Sequence, residues 1–297
     1  MNGVIIVNKP QDFTSFDIVA VMRKCCGQKK IGHTGTLDPM ATGVLPILLG
    51  NATKAQDILP DSHKEYIAEF QLGKTSNTLD IWGEIISECE CRISKQDILD
   101  VLPNFIGDIE QIPPMYSAVK KNGVRLYELA RKGIEIERDS RKVTVSEISL
   151  LNFDENCQVG KIKIACSKGT YIRSLIDDIG KKLGCGAVMT SLVRTKACGF
   201  TLEQSKSLDE LKQLTPQEIE NLTFSTESLF EDYQKIILNS RQAFKFSNGS
   251  PVDIDKTNFQ NIQNNQILRI CGKNGNFIGL GIVDTSKNII GIYKMFP

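Results

Sequence analysis

The chain has 297 residues, of which 41% are hydrophobic and 24% charged, and its net charge at pH 7 is +1. That length suits one large domain with a small one, or two of ordinary size, and the composition excludes a disordered or low-complexity polypeptide. With so little net charge, a general basic character cannot be invoked for a polyanionic partner, and only the distribution of charge is informative.

Val4–Val7 reads as a short strand stopped by Lys9-Pro10, and an apolar run this short carries no expectation of a secretory leader. Thr14 and Ser15 offer N-caps for a helix bearing Ile18, Val19, Val21 and Met22 and ended by Gly27. Residues 33–43 then read HTGTLDPMATG, with one of the chain's two histidines and a single carboxylate, Asp38. Fifteen uncharged residues separate Asp38 from the next charge, Lys54. Two readings stand side by side here. Asp, Thr, Gly and Pro are ordinary turn residues, yet a lone carboxylate on a glycine turn beside apolar sequence is also placed for chemistry.

Val44–Leu49 is apolar and interrupted by Pro46. Glu65–Gly73 alternates, with Tyr66, Ala68, Phe70 and Leu72 on one face, which predicts a strand. Gly83–Cys91 is expected to pair with it across a loop holding Thr75, Asp80 and Trp82. Ser94 with Asp97 resembles a capping box that opens a helix with Ile98, Val101, Leu102 and Phe105. The polar stretch 120–141 suits a protruding element. Val143–Leu151 and Val159–Cys166 are expected to form a hairpin around Asp154–Asn156. Ile172, Leu175, Ile176, Ile179 and Leu183 recur at helical spacing within Thr170–Leu183. Ser207 with Glu210, and Thr215-Pro216 with Glu218, mark two further helix starts. Beyond a shift in composition near Ser225–Gln234, short β segments follow at Ile236–Leu238, Ile267–Cys271, Phe277–Val283 and Ile289–Tyr293. The expected architecture is α+β, a mixed and mainly antiparallel sheet flanked by helices over residues 1–232, with a small β domain over 233–297.

Charge is segregated along the chain. Lys161–Lys196 holds eight basic and two acidic residues, Lys120–Lys142 eight and four, and Glu203–Asp232 two and eight. Basic stretches set apart from an acidic one fit a surface with one face turned toward phosphates, although solvated helix faces produce the same counts. Nine cysteines without a CxxC spacing predict reduced thiols in a cytoplasmic protein. His33 and His63 lie in no recognisable ligand cluster, so no metal site is expected. The longest uncharged stretch carries glycines and prolines and is too short to cross a bilayer, so no membrane association is expected.

Three features are candidates to converge on Asp38. Tyr66 opens the strand that alternates best. Arg173, in CSKGTYIR (166–173), falls in the first turn of a helix, where the dipole disfavours a cation and calls for another reason, such as a carboxylate partner. Leu192-Val193-Arg194 places apolar residues beside a base after a glycine-rich turn.

Taken together, VIIVNKP (4–10) with Thr14-Ser15, HTGTLDPMATG (33–43), KEY (64–66), GKTSNTLDIWG (73–83), GDIEQIPPMYSA (107–118), LYELARKG (126–133) and CSKGTYIRSLIDDIGKKLGCG (166–186) resemble, in order and spacing, the TruB-type tRNA pseudouridine-55 synthases. The resemblance covers nearly all of residues 3–200. It implies a pseudouridine synthase-like fold, a PUA-like RNA-binding domain at the C-terminus, and isomerisation of one uridine in the T-loop of tRNA with no cofactor. By the same resemblance Asp38 is the catalytic carboxylate, as nucleophile or as base on the sugar, and Arg173 is its cationic partner. Tyr66 stacks on the target uracil and helps to remove the C5 proton, Tyr171 and Leu192 wall the pocket, and His33 helps to hold the displaced T-loop. A mobile basic insertion over about 114–142 is expected to close on the RNA arm. The residues expected to touch RNA are Lys9, Asp80, Lys120, Lys121, Arg125, Arg131, Arg141 and Arg194. The chain departs from the family pattern at Asn77, Leu79 and Val193. The partner expected is the T-arm stem-loop of tRNA, bound by a monomer without an obligatory protein partner or guide RNA. An RNA-binding or tRNA-folding module with little catalysis is the alternative.

Overall fold

The computed structural model describes residues 1–60, 63–257 and 263–296. The first strands are β1 (Gly3–Lys9), β2 (Ile31–His33), β3 (Thr42–Leu49) and β4 (Lys64–Leu72), with helix α1 (Ser15–Cys25) after β1. A small hairpin, β5 (Lys74–Ser76) and β6 (Ile85–Glu88), precedes helix α2 (Lys95–Val101) and β7 (Gly107–Gln111). The exposed basic segment contains β8 (Lys120–Lys121), β9 (Val124–Arg125) and α3 (Leu126–Ala130). Long strands β10 (Arg141–Asp154) and β11 (Val159–Cys166) lead to α4 (Ile172–Lys182), β12 (Ala187–Ala197), β13 (Phe200–Thr201) and β14 (Lys206–Ser207). Helices α5 (Leu208–Gln213) and α6 (Pro216–Asn221) close this part.

Ten of these strands form one sheet in the order β14-β1-β3-β12-β4-β11-β10-β7, with β2 added to β3 and β13 to β12. Only β1–β14 and β3–β12 are parallel, so the sheet is mixed and mainly antiparallel. Local sequence explains the helices. Thr14, Ser94, Ser207 and Thr215 each accept from the backbone N–H three residues on, with the acid at that position returning the bond. On α4, Ile172, Leu175, Ile176 and Ile179 are buried, and they pack on the face of the sheet that carries Tyr66, Ala68 and Phe70. Fully burying each such side chain contributes about 1.5–3 kcal/mol.

The pairing expected for Gly83–Cys91 is corrected. Strand β4 has both edges occupied, by β11 and β12, so residues 85–88 fold onto β5 instead. Pro46 does not break β3, which runs unbroken beside β1.

The C-terminal β domain is a separate five-stranded sheet in the order β15-β17-β18-β19-β16. Its strands are β15 (Lys235–Ile237), β16 (Val252–Asp253), β17 (Ile267–Cys271), β18 (Phe277–Asp284) and β19 (Ile289–Met295). It also holds a helix that the sequence reading lacked, α7 (Ser240–Ser247), capped by Asn239. Rings join it to the larger sheet's core: Phe230 lies 5.5 Å from Phe296 and 6.1 Å from Phe277.

Gly43, at φ +106°, begins β3 where β12 presses closest, and a Cβ there would lie 2.2 Å from the Arg194 carbonyl oxygen. Gly27, at φ +61°, would meet nothing within 4 Å. Gly27→Ala is therefore expected to cost about 1 kcal/mol, the strain of the left-handed backbone alone, and Gly43→Ala at least twice as much. Thermal unfolding of the two variants checks this, and equal losses would contradict it.

Candidate active site

Asp38 sits on the loop between β2 and β3, and that loop is held from below by buried donors. The Ser15 hydroxyl lies between the backbone groups of Leu37, accepting from its N–H at 2.8 Å and donating to its carbonyl at 3.3 Å. The Leu37 side chain itself is buried in the core. Lys9 is wholly buried, and its Nζ donates to the carbonyls of Pro10, Phe13 and Pro39 at 2.8, 2.6 and 3.0 Å. Burial pushes the Lys9 ammonium down to about 8, against the field of Asp38, which raises it. On the other side Arg194 donates from Nε to the Val44 carbonyl at 2.7 Å and from Nη2 to the Gly35 carbonyl at 3.2 Å.

The carboxylate is met by Arg173, from the first turn of α4. Nε reaches Asp38 Oδ2 at 2.8 Å and Nη2 reaches Oδ1 at 3.1 Å, a forked pair. The Arg173 side chain is 5% exposed and that of Asp38 37%, so the cation is inside and the acid faces out. Every remaining arm of the guanidinium is used. Nη1 donates to the Thr78 carbonyl at 3.1 Å, and Nη2 to the Tyr116 carbonyl at 3.0 Å. Asp80 Oδ2 stands 3.8 Å from Nη1, while its Oδ1 accepts from the Thr78 hydroxyl and the Trp82 N–H. Burial pushes the Asp80 carboxyl up, opposed by Thr78 and Arg173. The awkward first-turn cation is thereby satisfied by two acids and two carbonyls.

Tyr66, on β4, lies directly across from Arg194 on β12, and Leu192 is two residues along the same strand. Both Tyr66 and Leu192 are buried, at 6% exposure each. Burial raises the Tyr66 hydroxyl, and the Arg194 charge opposes that shift. Tyr171 caps α4; its N–H donates to Gln111 Oε1 at 2.7 Å and its carbonyl accepts from Gln111 Nε2 at 3.1 Å. His33 ends β2 with a buried, unpartnered Nδ1, and burial followed by the Arg194 charge lowers its pKa. Both effects favour the neutral imidazole.

Several expectations for RNA contact are redirected. Lys9 and Arg194 have no exposed surface; their cations are spent on carbonyls around the Asp38 loop and do not reach outward. Asp80 is turned to Arg173. Lys120, Arg125, Arg131 and Arg141 are exposed, and Lys121 is half-buried with its Nζ on the Glu137 carbonyl. Arg125 and Arg131 flank the Tyr127 ring, at 5.9 and 5.4 Å from its centroid. Ser15 and Gln111 were not anticipated as supports. Ser15 reads in sequence as a helix cap, and the partner of Gln111 lies sixty residues away. Among the described residues no group of three His, Cys, Asp or Glu side chains is arranged to hold a metal ion. A groove of about 800 Å³ elsewhere, lined by Lys74, Glu88, Arg92 and Gln158 among others, contains none of the residues above.

Comparison with known proteins covers most of the chain. Residues 23–172 match the model for the N-terminal domain of TruB family pseudouridylate synthases. Residues 173–231 match the C-terminal domain of tRNA pseudouridylate synthase B, and residues 235–290 the C-terminal domain of pseudouridine synthase II TruB. The tRNA pseudouridine synthase B of Clostridium tetani is 45% identical over 282 residues, covering 95% of each chain. That of Pseudomonas fluorescens is 41% identical over 294 residues, covering 97% of this chain and 94% of the other. The solved structure of a Cbf5-Nop10-Gar1 complex superimposes with a TM-score of 0.77 at 26% identity, over 99% of this chain and 85% of that one. The chain belongs to the TruB family of pseudouridylate synthases.

Proposed function

We propose that this protein isomerises uridine-55 in the T-loop of tRNA to pseudouridine, with Asp38 as the catalytic carboxylate. The observation that carries the reading is the forked Asp38–Arg173 pair, which presents an acid outward on a buried cation. The names of the relatives supply the class of substrate. The reaction breaks the N1–C1′ bond, turns the uracil and joins C5 to C1′; C5 loses a proton and N1 gains one, so the net change is zero. Asp38 acts on the sugar, by bonding to C1′ or by taking a sugar proton, and either role needs an ionised acid beside the ribose. Arg173 holds that carboxylate by a forked pair and aims it. Tyr66, Tyr171 and Leu192 form the slot for the planar base, with the Tyr66 hydroxyl on the C5 side. The uridine lies inside a folded loop and is flipped into the slot, at about a few kcal/mol of lost stacking. Stacking on Tyr66 offsets part of that cost, and neutral His33 supports the opened loop.

The exposed cations of the 114–142 segment take the phosphates of the RNA arm. The C-terminal domain, over 233–297, adds a second RNA-binding surface. We place the protein in the cytoplasm, working as a monomer without guide RNA. No helix among the described residues is long and apolar enough to cross a membrane.

Purified protein alone, incubated with unmodified tRNA and mapped with carbodiimide, is expected to show one modified uridine at position 55. Asp38→Asn is expected to slow this by about 10⁴-fold or more. Binding with no modified uridine would leave only the tRNA-folding module. Arg173→Ala is expected to lower the single-turnover rate about 10²–10³-fold, as for loss of one preorganised electrostatic partner. The Kd for a T-arm stem-loop should stay within roughly threefold, because Arg173 has no outward donor left. Equal losses in rate and affinity would reject that role. Replacing Lys120, Arg125 and Arg131 together by Gln is expected to reduce the slope of log Kd against log salt by about 2 to 3. An unchanged slope would place the phosphate contacts elsewhere.

A further inference from the structure

Arg194 is a fully buried cation that the proposed reaction leaves without a task. Among the described residues it makes no ion pair with a carboxylate; its hydrogen bonds go to carbonyls, from Nε to Val44 at 2.7 Å, from Nη2 to Gly35 at 3.2 Å and from Nη1 to Thr36 at 3.5 Å. A buried guanidinium without an anion is a costly way to fill space, and an apolar side chain would stabilise the sheet at least as well. Its position suggests why it is there. In register it faces Gly43 on β3 on one side and Tyr66 on β4 on the other. The three carbonyls it gathers come from both ends of the loop that carries Asp38. As the direct cross-strand partner of Tyr66, it shares a face of the sheet with the Tyr66 ring, and its charge acts on the Tyr66 hydroxyl. One planar group therefore holds the support of the sugar-side acid and stands beside the base-side tyrosine.

We infer that Arg194 is a positioning residue that fixes the Tyr66 hydroxyl relative to the Asp38 loop, so that the two sides of the uridine site move as one body. Tyr66 stands on a central strand, whereas Asp38 stands on a loop eight residues long, between β2 and β3, and their separation has to hold while the base turns between them. A misplacement of about 1 Å costs on the order of a hundredfold in rate. Lysine cannot replace the fork, because a single ammonium on a flexible stem cannot hold carbonyls on both sides of the loop at once and keep a fixed place beside Tyr66. The contact with RNA expected for Arg194 is thereby replaced by a role beneath the site.

The inference rests on the reaction proposed above, and a double-mutant cycle separates the two. Single-turnover pseudouridine formation on an unmodified T-arm stem-loop is measured for the wild type, Arg194→Gln, Tyr66→Phe and the double variant, with Kd for the same RNA. Arg194→Gln is expected to lower the rate at least about tenfold and leave Kd within about threefold. The double variant should be no more than about threefold slower than the slower single one, because each change removes the same placement of the hydroxyl. Rate losses that multiply in the double variant would overturn the inference, and so would a Kd that rises as far as the rate falls. If Arg194→Gln does not fold, Arg194→Lys serves in the same cycle; its activity should stay below wild type while its unfolding midpoint is retained, and full rescue of activity by Lys would overturn the fork argument. A wild-type protein that makes no pseudouridine on this RNA would overturn the proposed reaction and this inference together.

Discussion

The pairing of Asp38 with Arg173 sets the terms for the surrounding structure. A guanidinium that is almost fully buried needs its donors met, and Asp38, Thr78, Asp80 and Tyr116 meet them from three separate stretches of chain. The β5–β6 hairpin loop, the start of the basic insertion and the Asp38 loop are thus drawn onto the first turn of α4. The arrangement works against the helix dipole, and the ion pair together with the packing of Leu175, Ile176 and Ile179 offsets that cost. The result is an acid whose position is over-determined from inside the protein and whose outer side is free for a substrate.

Two further buried cations complete the support. Lys9 ties Pro39, the residue after Asp38, to the turn that opens α1, and Arg194 ties both ends of the loop to β12. The thiols take no part in this network. Burial pushes Cys26, Cys166 and Cys185 up to about 11, so they are neutral and poorly nucleophilic at pH 7.

Local features were legible in the sequence. Three capping boxes, the Thr14 cap, the alternation of β4 and the spacing of α4 each depend on residues within one or two turns of one another. Arg173 was legible because its place on the helix conflicted with the dipole, and the conflict pointed to Asp38. Long-range choices were not. Whether residues 85–88 join β4 depends on β11 and β12 having filled its edges, and both strands come far later in the chain. Lys9 and Arg194 resemble surface cations in a one-dimensional reading, since nothing near them in sequence states that they are buried. Helix α7 was hidden among β segments because its capping signal, Asn239 with Gln242, is short and its helix carries few apolar residues.

The central claim is geometric, and a structure of the complex tests it most directly. The protein would be crystallised with a T-arm stem-loop bearing 5-fluorouridine at the target position. The account predicts a base flipped against the Tyr66 ring, C1′ within about 3–3.5 Å of an Asp38 oxygen, and Arg173 still forked on that carboxylate. A base bound elsewhere, or Arg173 released from Asp38 to hold a phosphate, would contradict it.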